Sequence, residues 1–412
     1  MKTEETSERV NRFHEKILEK QNMEIAAELD ELTAGPNYCP EFSYFLELFR
    51  GGISISAAAQ RTGMPVAALL CVQTPLELVH AHGFHPFKIF SGSFATGQIT
   101  APHLPVLACP MLRSALGALE QEKQTDCPWI MPTTCDWVVQ FNEIARLGGV
   151  AINGPVHRME LPCIKDSPRA HDRWLDEVKA LSNFLVKSGG RRLNRKVLQK
   201  SIEIFGAARQ CFARLIDLRR AGLVPCKWFF IITGSFFLDR IENWTAAVEK
   251  TLPIFRQNTT KGKRIFLAGS PIFFPNFKLP QLLEEAGLWV TGDDLCSSER
   301  IFPVNLAVSD PSEEGLLCAL AETYHQGCLC PVFGDNERRI NNIHAALPSA
   351  NFKGLIFHIL KGCHPYDLES FQLEEQIKEA GLRFLKVETD YTAEDSQNIL
   401  TRLEAFGRTL GE

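Results

Sequence analysis

Short apolar runs alternate with segments of helical periodicity in two stretches of the sequence, from about residue 65 to 165 and from 263 to 412. The runs predicted to be strands are Val66–Leu70, Pro86–Phe90, a run around Ile130, Gly149–Asn153, Arg264–Gly269, Leu288–Thr291, Gly354–Leu360 and Arg383–Glu388. The segments predicted to be helices are Pro75–His82, Asp136–Leu147, Leu279–Ala286, Glu313–Gln326, Leu368–Ala380 and Glu394–Leu410. Strands and helices that alternate at this spacing are typical of a parallel, doubly wound sheet.

Helical patterns fill the remaining segments. Amphipathic repeats dominate residues 1–60, and longer patterns cover Ala170–Lys187 and Leu193–Ala221. We therefore predict a helical N-terminal segment (1–60), a first α/β lobe (61–165), a helical bridge (166–262) and a second α/β lobe (263–412). The expected fold class is α/β, with two Rossmann-like, doubly wound parallel-sheet lobes joined by a helical segment.

Composition and charge exclude several classes of partner. The formal charge is −5 and the pI is near 6.2, which does not favour binding to nucleic acid or to an anionic membrane surface. The most apolar stretch, Trp228–Leu238, is far too short to span a membrane, and the first residues lack the apolar core of a secretion signal. We expect a cytoplasmic protein with no membrane and no nucleic-acid partner.

The 13 cysteines carry the most chemical information, because disulfides are rare in a reducing compartment. Seven of them fall at predicted strand-to-helix junctions or loops, from both predicted lobes: Cys109, Cys127, Cys135, Cys296, Cys328, Cys330 and Cys363. Ligands gather outside the carboxyl ends of parallel strands, where helix N-termini favour anionic sulfur. These seven are therefore predicted to be metal ligands in a cleft between the lobes.

The other six cysteines are interpreted as structural, because they lie within apolar runs, in helical patterns or beside prolines: Cys39, Cys71, Cys163, Cys211, Cys226 and Cys318. Zinc is the rival metal for the predicted ligands. Their spacing lacks the paired CxxC or HxxxH motifs of zinc ribbons and fingers. Sulfur ligands without that pairing favour an iron–sulfur cluster.

Other polar residues near these junctions are candidates for supporting roles. His364 and Glu369 follow Cys363 and are candidate proton donors, although His364 also suits a helix start. Ser270 and Thr134 are candidate hydrogen-bond donors to cluster sulfur. Glu388 and Asp390 end the last predicted strand and either face the cleft or cap the next helix. No GxxxxGK[ST], GxGxxG or HExxH motif occurs.

Four motifs, taken in order, resemble the family of 2-hydroxyacyl-CoA dehydratase and benzoyl-CoA reductase subunits: TTCD at Cys135, GDDLCSSER at Cys296, KGCHPYDLE at Cys363 and VETDY at 387–391. The resemblance covers residue 60 to the C-terminus. Extra cysteines in CPMLRS, DCP and the CxC at 328 and 330 resemble the double-cubane cluster proteins within that family.

This resemblance implies a cofactor, its ligands and a partner. Ordinary dehydratase subunits hold one [4Fe–4S] cubane with three cysteines, whereas the double-cubane branch holds an [8Fe–9S] cluster with six. The residues that match as ligands are Cys109, Cys127, Cys135, Cys296, Cys363 and either Cys330, which we favour, or Cys328. The partner implied is an ATP-hydrolysing [4Fe–4S] activator protein, and the absence of a phosphate loop here agrees with that division of labour.

Three functional hypotheses follow. The first is an ATP-dependent double-cubane reductase, a homodimer, that passes low-potential electrons to small unsaturated or nitrogenous molecules. Bulky Trp137 and the phenylalanines of SPIFFPNF favour a small substrate over an acyl-CoA. The second is a single-[4Fe–4S] subunit that dehydrates a 2-hydroxyacyl-CoA, and the third is a non-catalytic electron carrier. Iron content separates the first two, at about eight irons per chain against four.

Overall fold

A computed structural model describes most of the chain: residues 2–89, 91–100, 104–122, 125–146, 152–257, 262–302, 306–334, 336–349 and 351–411, without the side chains of 2–11, 145, 348 and 349. Its strands are β1 Val66–Leu69, β2 His85–Lys88, β3 Trp129–Pro132, β4 Val156–Met159, β5 Lys263–Gly269, β6 Leu288–Asp294, β7 Gly354–Leu360 and β8 Arg383–Thr389. They form two separate sheets.

Helices surround both sheets. In chain order they are α1 Lys2–Ala34, α2 Ser43–Arg50, α3 Ile55–Thr62, α4 Leu76–Ala81, α5 Phe94–Gly97, α6 Pro110–Gln121, α7 Asp136–Arg146, α8 Ala170–Lys187, α9 Arg195–Arg220, α10 Cys226–Ser235, α11 Ile241–Phe255, α12 Lys278–Glu285, α13 Glu313–Gly327, α14 Glu337–Ser349, α15 His364–Glu379 and α16 Ser396–Thr409. Among the described residues, no helix is long and apolar enough to cross a membrane.

The two sheets share one topology. The first has the strand order β2-β1-β3-β4 and the second β6-β5-β7-β8, and every pairing is parallel. In both sheets the chain starts in the middle, moves outward to one side and then crosses to the other. The crevice beside the starting strand is a topological switch point, where sheets of this kind bind ligands. The predicted fold class, two parallel α/β lobes, is confirmed.

One predicted strand is wrong. The last strand of the first sheet is β4 at Val156–Met159, not Gly149–Asn153. Residues 149–151 lie outside the described part of the chain, and Ile152 and Asn153 are not in a strand. The alternating exposure of β4, an edge strand, explains the error, because its sequence VHRM has little apolar character.

The bridge between the sheets contains two helices that the sequence pattern did not resolve, α10 and α11. Nine residues of α10 are buried, so it is apolar on nearly all sides and has no amphipathic period to detect. Its phenylalanines pack against Phe212 and Phe277 from the bridge and the second lobe. A continuous core therefore runs from the first lobe through the bridge into the second.

The lobes meet closely at the carboxyl ends of their sheets. Gly362 has φ +78°, and a Cβ there would lie 2.2 Å from the carbonyl oxygen of Leu107, so only glycine permits this approach. The indole of Trp137 donates to the carbonyl oxygen of Gly362 at 3.0 Å. The loops that precede α6, α7 and α15 are thereby brought together.

Candidate metal centre

Seven cysteines form two neighbouring groups where the carboxyl ends of the two sheets face each other. The first cysteine group is Cys109, Cys135 and Cys363. The second cysteine group is Cys71, Cys296, Cys328 and Cys330. Each group draws residues from both lobes, as the sequence predicts for a shared metal centre.

Helix N-termini hold the first group. Cys109 and Cys363 are the N-cap residues of α6 and α15, each followed by a proline in the first two helical positions, and Cys135 directly precedes α7. Backbone amides from the first turns of these helices bond to the sulfur atoms: those of Met111 and Leu112 to Cys109, of Trp137 and Val138 to Cys135, and of Tyr366 to Cys363. Such amides and the helix dipole favour anionic sulfur.

The thiols of Cys109 and Cys363 are hydrogen-bonded to each other across the lobe interface. This interaction lowers the pKa of Cys109 and raises that of Cys363. Burial raises the pKa of Cys135, whose charge interacts with that of Cys363. Three sulfur atoms from two lobes thus share one small volume.

The second group lies on loops after strands and after α13. Cys71 follows β1 by two residues and Cys296 follows β6 by two, whereas Cys328 ends α13 and Cys330 comes two residues later. The charge of Cys71 interacts with those of Cys296 and Cys330, and that of Cys328 with Cys71 and Cys296. Desolvation by the surrounding protein raises the pKa of Cys71, Cys328 and Cys330 to about 12.

Three buried or nearly buried cations bind the backbone of these loops. The Lys88 ammonium donates to the carbonyl oxygen of Cys296 at 3.1 Å, and the Lys165 ammonium donates to that of Cys328 at 2.5 Å. The Arg300 guanidinium donates to the carbonyl oxygen of Leu329, between the two cysteines of the CxC segment. Burial lowers the pKa of Lys88, and lowers that of Lys165 to about 8.

Tyr366 connects the two groups. Its amide bonds to the sulfur of Cys363, and its ring hydroxyl lies beside Cys296 and Cys330. The same hydroxyl accepts a hydrogen bond from Arg300 at 3.0 Å. One residue in the first turn of α15 therefore interacts with both groups, through its amide with the first and through its hydroxyl with the second.

Cys127 does not join either group, contrary to the prediction. It precedes β3, whereas Cys135 follows that strand, so about 13 Å of strand separates the two positions. Its electrostatic neighbours are the carboxylates of Glu122 and Asp126, and burial raises its pKa to about 12. A cysteine in a loop beside a strand is therefore not necessarily a ligand, because only the carboxyl ends of the strands face the other lobe.

Cys71 is the residue that sequence reasoning missed. Its position two residues after β1 satisfies the same strand-end rule that selected Cys135, but its apolar surroundings in the sequence led to a structural interpretation. The placement beside Cys296 and Cys330 does not support that interpretation. Of the other cysteines interpreted as structural, Cys226 is fully buried, Cys163 is exposed and Cys211 donates to the carbonyl oxygen of Thr245 at 3.7 Å.

The predicted supporting residues have mixed outcomes. Ser270 bonds to the sulfur of Cys363 and accepts the Leu360 amide at 3.0 Å, and Thr134 bonds to the sulfur of Cys135. His364 is exposed at the first position of α15.

Glu369 is buried and paired with Arg339, which also pairs with Asp294. Burial raises its pKa, and Arg339 opposes that rise. A carboxylate held in this ion pair is poorly placed to donate a proton, so its contacts favour a structural role over the predicted catalytic one.

The carboxylates at the end of β8 do not face the cysteines. Glu388 is exposed, and Asp390 pairs with Lys361 at 2.8 Å. Instead the neighbouring Tyr391 is buried beside Cys109, and burial and that thiol raise the pKa of its hydroxyl. The end of β8 therefore lies near the first group, as predicted, but the residue that interacts with Cys109 is Tyr391 and not one of the carboxylates.

A single metal ion and an iron–sulfur cluster make different demands on the arrangement of these thiols. Among the described residues, no three His, Cys, Asp or Glu side chains are arranged to hold one metal ion. In a cluster each cysteine binds its own iron, so the sulfur atoms need not converge on one point. Thiols whose pKa burial raises to about 12 become charged only with a compensating cation, which irons would supply.

Comparison with known proteins identifies the family of the chain. The model of the family described as 2-hydroxyglutaryl-CoA dehydratase, D-component, matches residues 71–410. The chain belongs to this family. The match begins at Cys71 and spans every cysteine of both groups.

The curated relatives of this D-component family member are distant in sequence, but the similarity covers most of the chain. It is 24% identical over 383 residues to a putative dehydratase subunit of Escherichia coli (89% of the chain, 96% of the relative). It is 22% identical to the (R)-phenyllactyl-CoA dehydratase beta subunit of Clostridium sporogenes (85% and 93%). It is 18% identical to the beta subunit of (R)-2-hydroxyglutaryl-CoA dehydratase of Acidaminococcus fermentans (84% and 93%). The family expected from the sequence motifs is confirmed.

Proposed function

We propose that this chain is the reductase component of an ATP-dependent electron-transfer system and that it holds a double-cubane [8Fe–9S] cluster. The first cysteine group would bind one cubane, and three residues of the second group would bind the other. The observation that carries the proposal is the arrangement of seven cysteines from two lobes in two adjacent groups. A subunit with one cubane and three cysteine ligands would leave one group without a role.

The second group offers four thiols for three positions. Cys71 and Cys296 lie at strand ends, which leaves a choice between Cys328 and Cys330. The Cys328 thiol is directed at the carbonyl oxygen of Val72, 3.6 Å away, whereas Cys330 accepts the Val332 amide and neighbours Cys296. A sulfur that accepts an amide is prepared to be anionic, so we assign Cys330 as the ligand.

The residues around the cysteines have distinct tasks in this proposal. The cluster, when bound, would supply low-potential electrons. Ser270 and Thr134 donate hydrogen bonds that tune the sulfur atoms of the first group. Lys88, Lys165 and Arg300 offset negative charge at the second group and hold its loops in place.

Partner proteins follow from what the chain lacks and from its relatives. Its sequence has no phosphate loop, so we propose that a separate ATP-hydrolysing [4Fe–4S] activator delivers the electrons. We also propose a homodimer. Three relatives are named beta subunits, so the alternative is a pair of unlike subunits, and a mass measurement of the purified assembly would distinguish the two. Thirteen free cysteines favour the cytoplasm as the compartment.

A second candidate function is favoured by the names of the relatives. The beta subunits of phenyllactyl-CoA, lactoyl-CoA and 2-hydroxyglutaryl-CoA dehydratases point to a single-[4Fe–4S] subunit that acts on a 2-hydroxyacyl-CoA. In that case the first group alone would bind the cubane. A non-catalytic electron carrier is the third possibility, and it predicts no turnover of acyl-CoAs or small reducible molecules with activator and ATP.

Iron and sulfide analysis after anaerobic purification tests the proposal. We expect about eight irons per chain, a loss of about half or more in Cys71→Ser and in Cys363→Ser, and no loss in Cys127→Ser. Cys127→Ser is the control, because it makes the same substitution at a buried cysteine outside both groups. Four irons that survive Cys71→Ser would support the dehydratase subunit instead, and a chain without iron would refute both.

A further inference from the structure

A cavity opens between the N-terminal helix α1 and the first lobe. Its volume is about 540 Å³, within the usual range for small-molecule sites. Apolar walls come from α1, the segment after α2 and the end of β2: Leu18, Ile25, Phe49, Ile53, Phe87 and Ile89. We call this space the outer chamber. Its size suits a small metabolite.

A second cavity adjoins the outer chamber. This inner chamber has a volume of about 50 Å³ and shares two lining residues, Phe49 and Ile53, with the outer chamber. Four phenylalanines from the bridge and the second lobe line it: Phe230, Phe237, Phe273 and Phe274. A ligand that moved past the side chains of Phe49 and Ile53 would therefore enter a narrow aromatic space between the lobes.

The polar groups of the inner chamber are hydrogen-bond donors. The Lys88 ammonium lies 5.2 Å from the ring centre of Phe273 and 5.8 Å from that of Phe237. Ser297 accepts the Ile272 amide at 3.0 Å, so its hydroxyl proton is available for donation. The described lining residues include no carboxylate. A buried ammonium and a hydroxyl in apolar walls suit an anionic or carbonyl oxygen.

The inner chamber adjoins the second cysteine group. Lys88 donates to the backbone of Cys296 at 3.1 Å, and its charge interacts with those of Cys71 and Cys296. Ser297 is the next residue after Cys296. A molecule whose oxygen binds Lys88 and Ser297 would thus lie next to the thiols of this group.

We infer that a compact carboxylic acid enters through the outer chamber, passes Phe49 and Ile53, and binds with its carboxylate at Lys88 and Ser297. The constriction and the size of the inner chamber select a molecule of a few heavy atoms. That the bound acid is the substrate rests on the proposed function, whereas the binding itself does not.

Fluorine NMR on the full chain, purified anaerobically, tests this site without any turnover. Trifluoroacetate is the probe, and trifluoroacetamide is its neutral counterpart of equal size. We expect trifluoroacetate to bind at least about tenfold more tightly than the amide. Lys88→Met should weaken it by at least about tenfold, and Ile53→Trp, which fills the passage and leaves Lys88 intact, should abolish binding. Lys179→Met, at an exposed lysine paired with Glu314, is the control.

Equal binding of both probes, or unchanged binding in Lys88→Met or Ile53→Trp, would overturn the inference. Circular dichroism of each variant shows whether it is folded. If Lys88→Met does not fold, the binding measured for Ile53→Trp still decides the test. Iron measured on the same samples separates the two proposals. A chain without iron that binds trifluoroacetate refutes the proposed function alone, and one with eight irons that does not bind it refutes this site alone.

Discussion

The two cysteine groups bring several thiols out of water at the same lobe interface, but they are supported by different chemistry. In the first group, helix N-termini direct backbone amides at sulfur. In the second, Lys88, Lys165 and Arg300 bind the carbonyl oxygens of the cysteine loops. Every residue type except proline has a backbone amide N–H, whereas each cation is one particular side chain. The second group should therefore be far more sensitive to substitution of its surroundings.

The largest expected effect is at Arg300. Arg300→Met removes one of the two cations that pair with Asp294, at 3.0 Å, while Arg339 stays paired with it, and it removes the donor to the Tyr366 hydroxyl and the Leu329 carbonyl. We expect a loss of about 3–5 kcal/mol in the free energy of unfolding, because one substitution removes an ion pair and two hydrogen bonds from a largely buried network.

Urea unfolding measures this loss for Arg300. Arg220→Met is the control, since Arg220 is 41% exposed in its pair with Glu299 and should cost less than about 1 kcal/mol. Equal losses in the two variants would show that the cation at the second group has no special importance.

Acid should lower the stability of the two lobes to a similar extent. Burial lowers the pKa of His85 in the first sheet and of His358 in the second to about 4. Because the unfolded chain binds these protons near pH 6.5 and the folded chain does not, stability is complete above 6.5 and falls as pH decreases toward 4. Each histidine should contribute about 3 kcal/mol to that fall.

Unfolding midpoints measured from pH 7 to 4 test the acid effect. His85→Gln and His358→Gln should each flatten the profile, and His364→Gln, at an exposed position, should not. A profile that only one of the two buried histidines changes would assign acid sensitivity to one lobe.

A smaller effect is expected at Lys165. Lys165→Met removes the donor to the carbonyl oxygens of His325 and Cys328, at 2.7 and 2.5 Å. Leaving these groups unpaired should cost about 1–3 kcal/mol and loosen the CxC segment. Thermal unfolding gives the first quantity, and alkylation rates of Cys328 and Cys330, by peptide mass spectrometry, give the second. Alkylation rates that match those of the control Lys179→Met would contradict this role.

The smallest expected effect is at the first group. Ser270→Ala removes the acceptor of the Leu360 amide and the bond to Cys363, but the helix amides remain. We expect about 1 kcal/mol of destabilisation and little loss of iron. Iron content and unfolding free energy of this variant, beside Lys165→Met, test the ranking directly. A greater loss of iron in Ser270→Ala than in Lys165→Met would reverse it.

The fold was largely predictable because both lobes repeat a strong pattern. Strands such as β7, buried along all seven residues, read as continuous apolar runs, and Gly354–Leu360 was predicted to the residue. The pattern failed at β4, a short edge strand with two exposed residues, and at α10, which is apolar on nearly all sides. A continuous apolar run identifies a fully buried strand and an amphipathic period identifies a half-buried helix, but β4 has no such run and α10 has no such period.

The candidate site was predicted in outline, with Cys127 in place of Cys71. Position after a strand identified Cys135, Cys296 and Cys363, since chain direction fixes which end of a parallel strand they occupy. If the rule had been restricted to loops at the carboxyl ends of strands, it would have included Cys71, which follows β1, and excluded Cys127, which precedes β3. Partners such as Lys88 and Tyr391 come from distant parts of the chain, and spacing within the sequence does not contain such contacts.

The close approach of Gly362 to Leu107 has a consequence for motion. Cys109 and Cys135 belong to one lobe and Cys363 to the other, so any hinge opening at this edge would pull the three sulfur atoms apart. If the first group held the proposed cluster, the lobes would have to move as one body. A rearrangement that admits a ligand would then involve elements away from the contact of Gly362 with Leu107. Helix α1, which lines the outer chamber, is such an element.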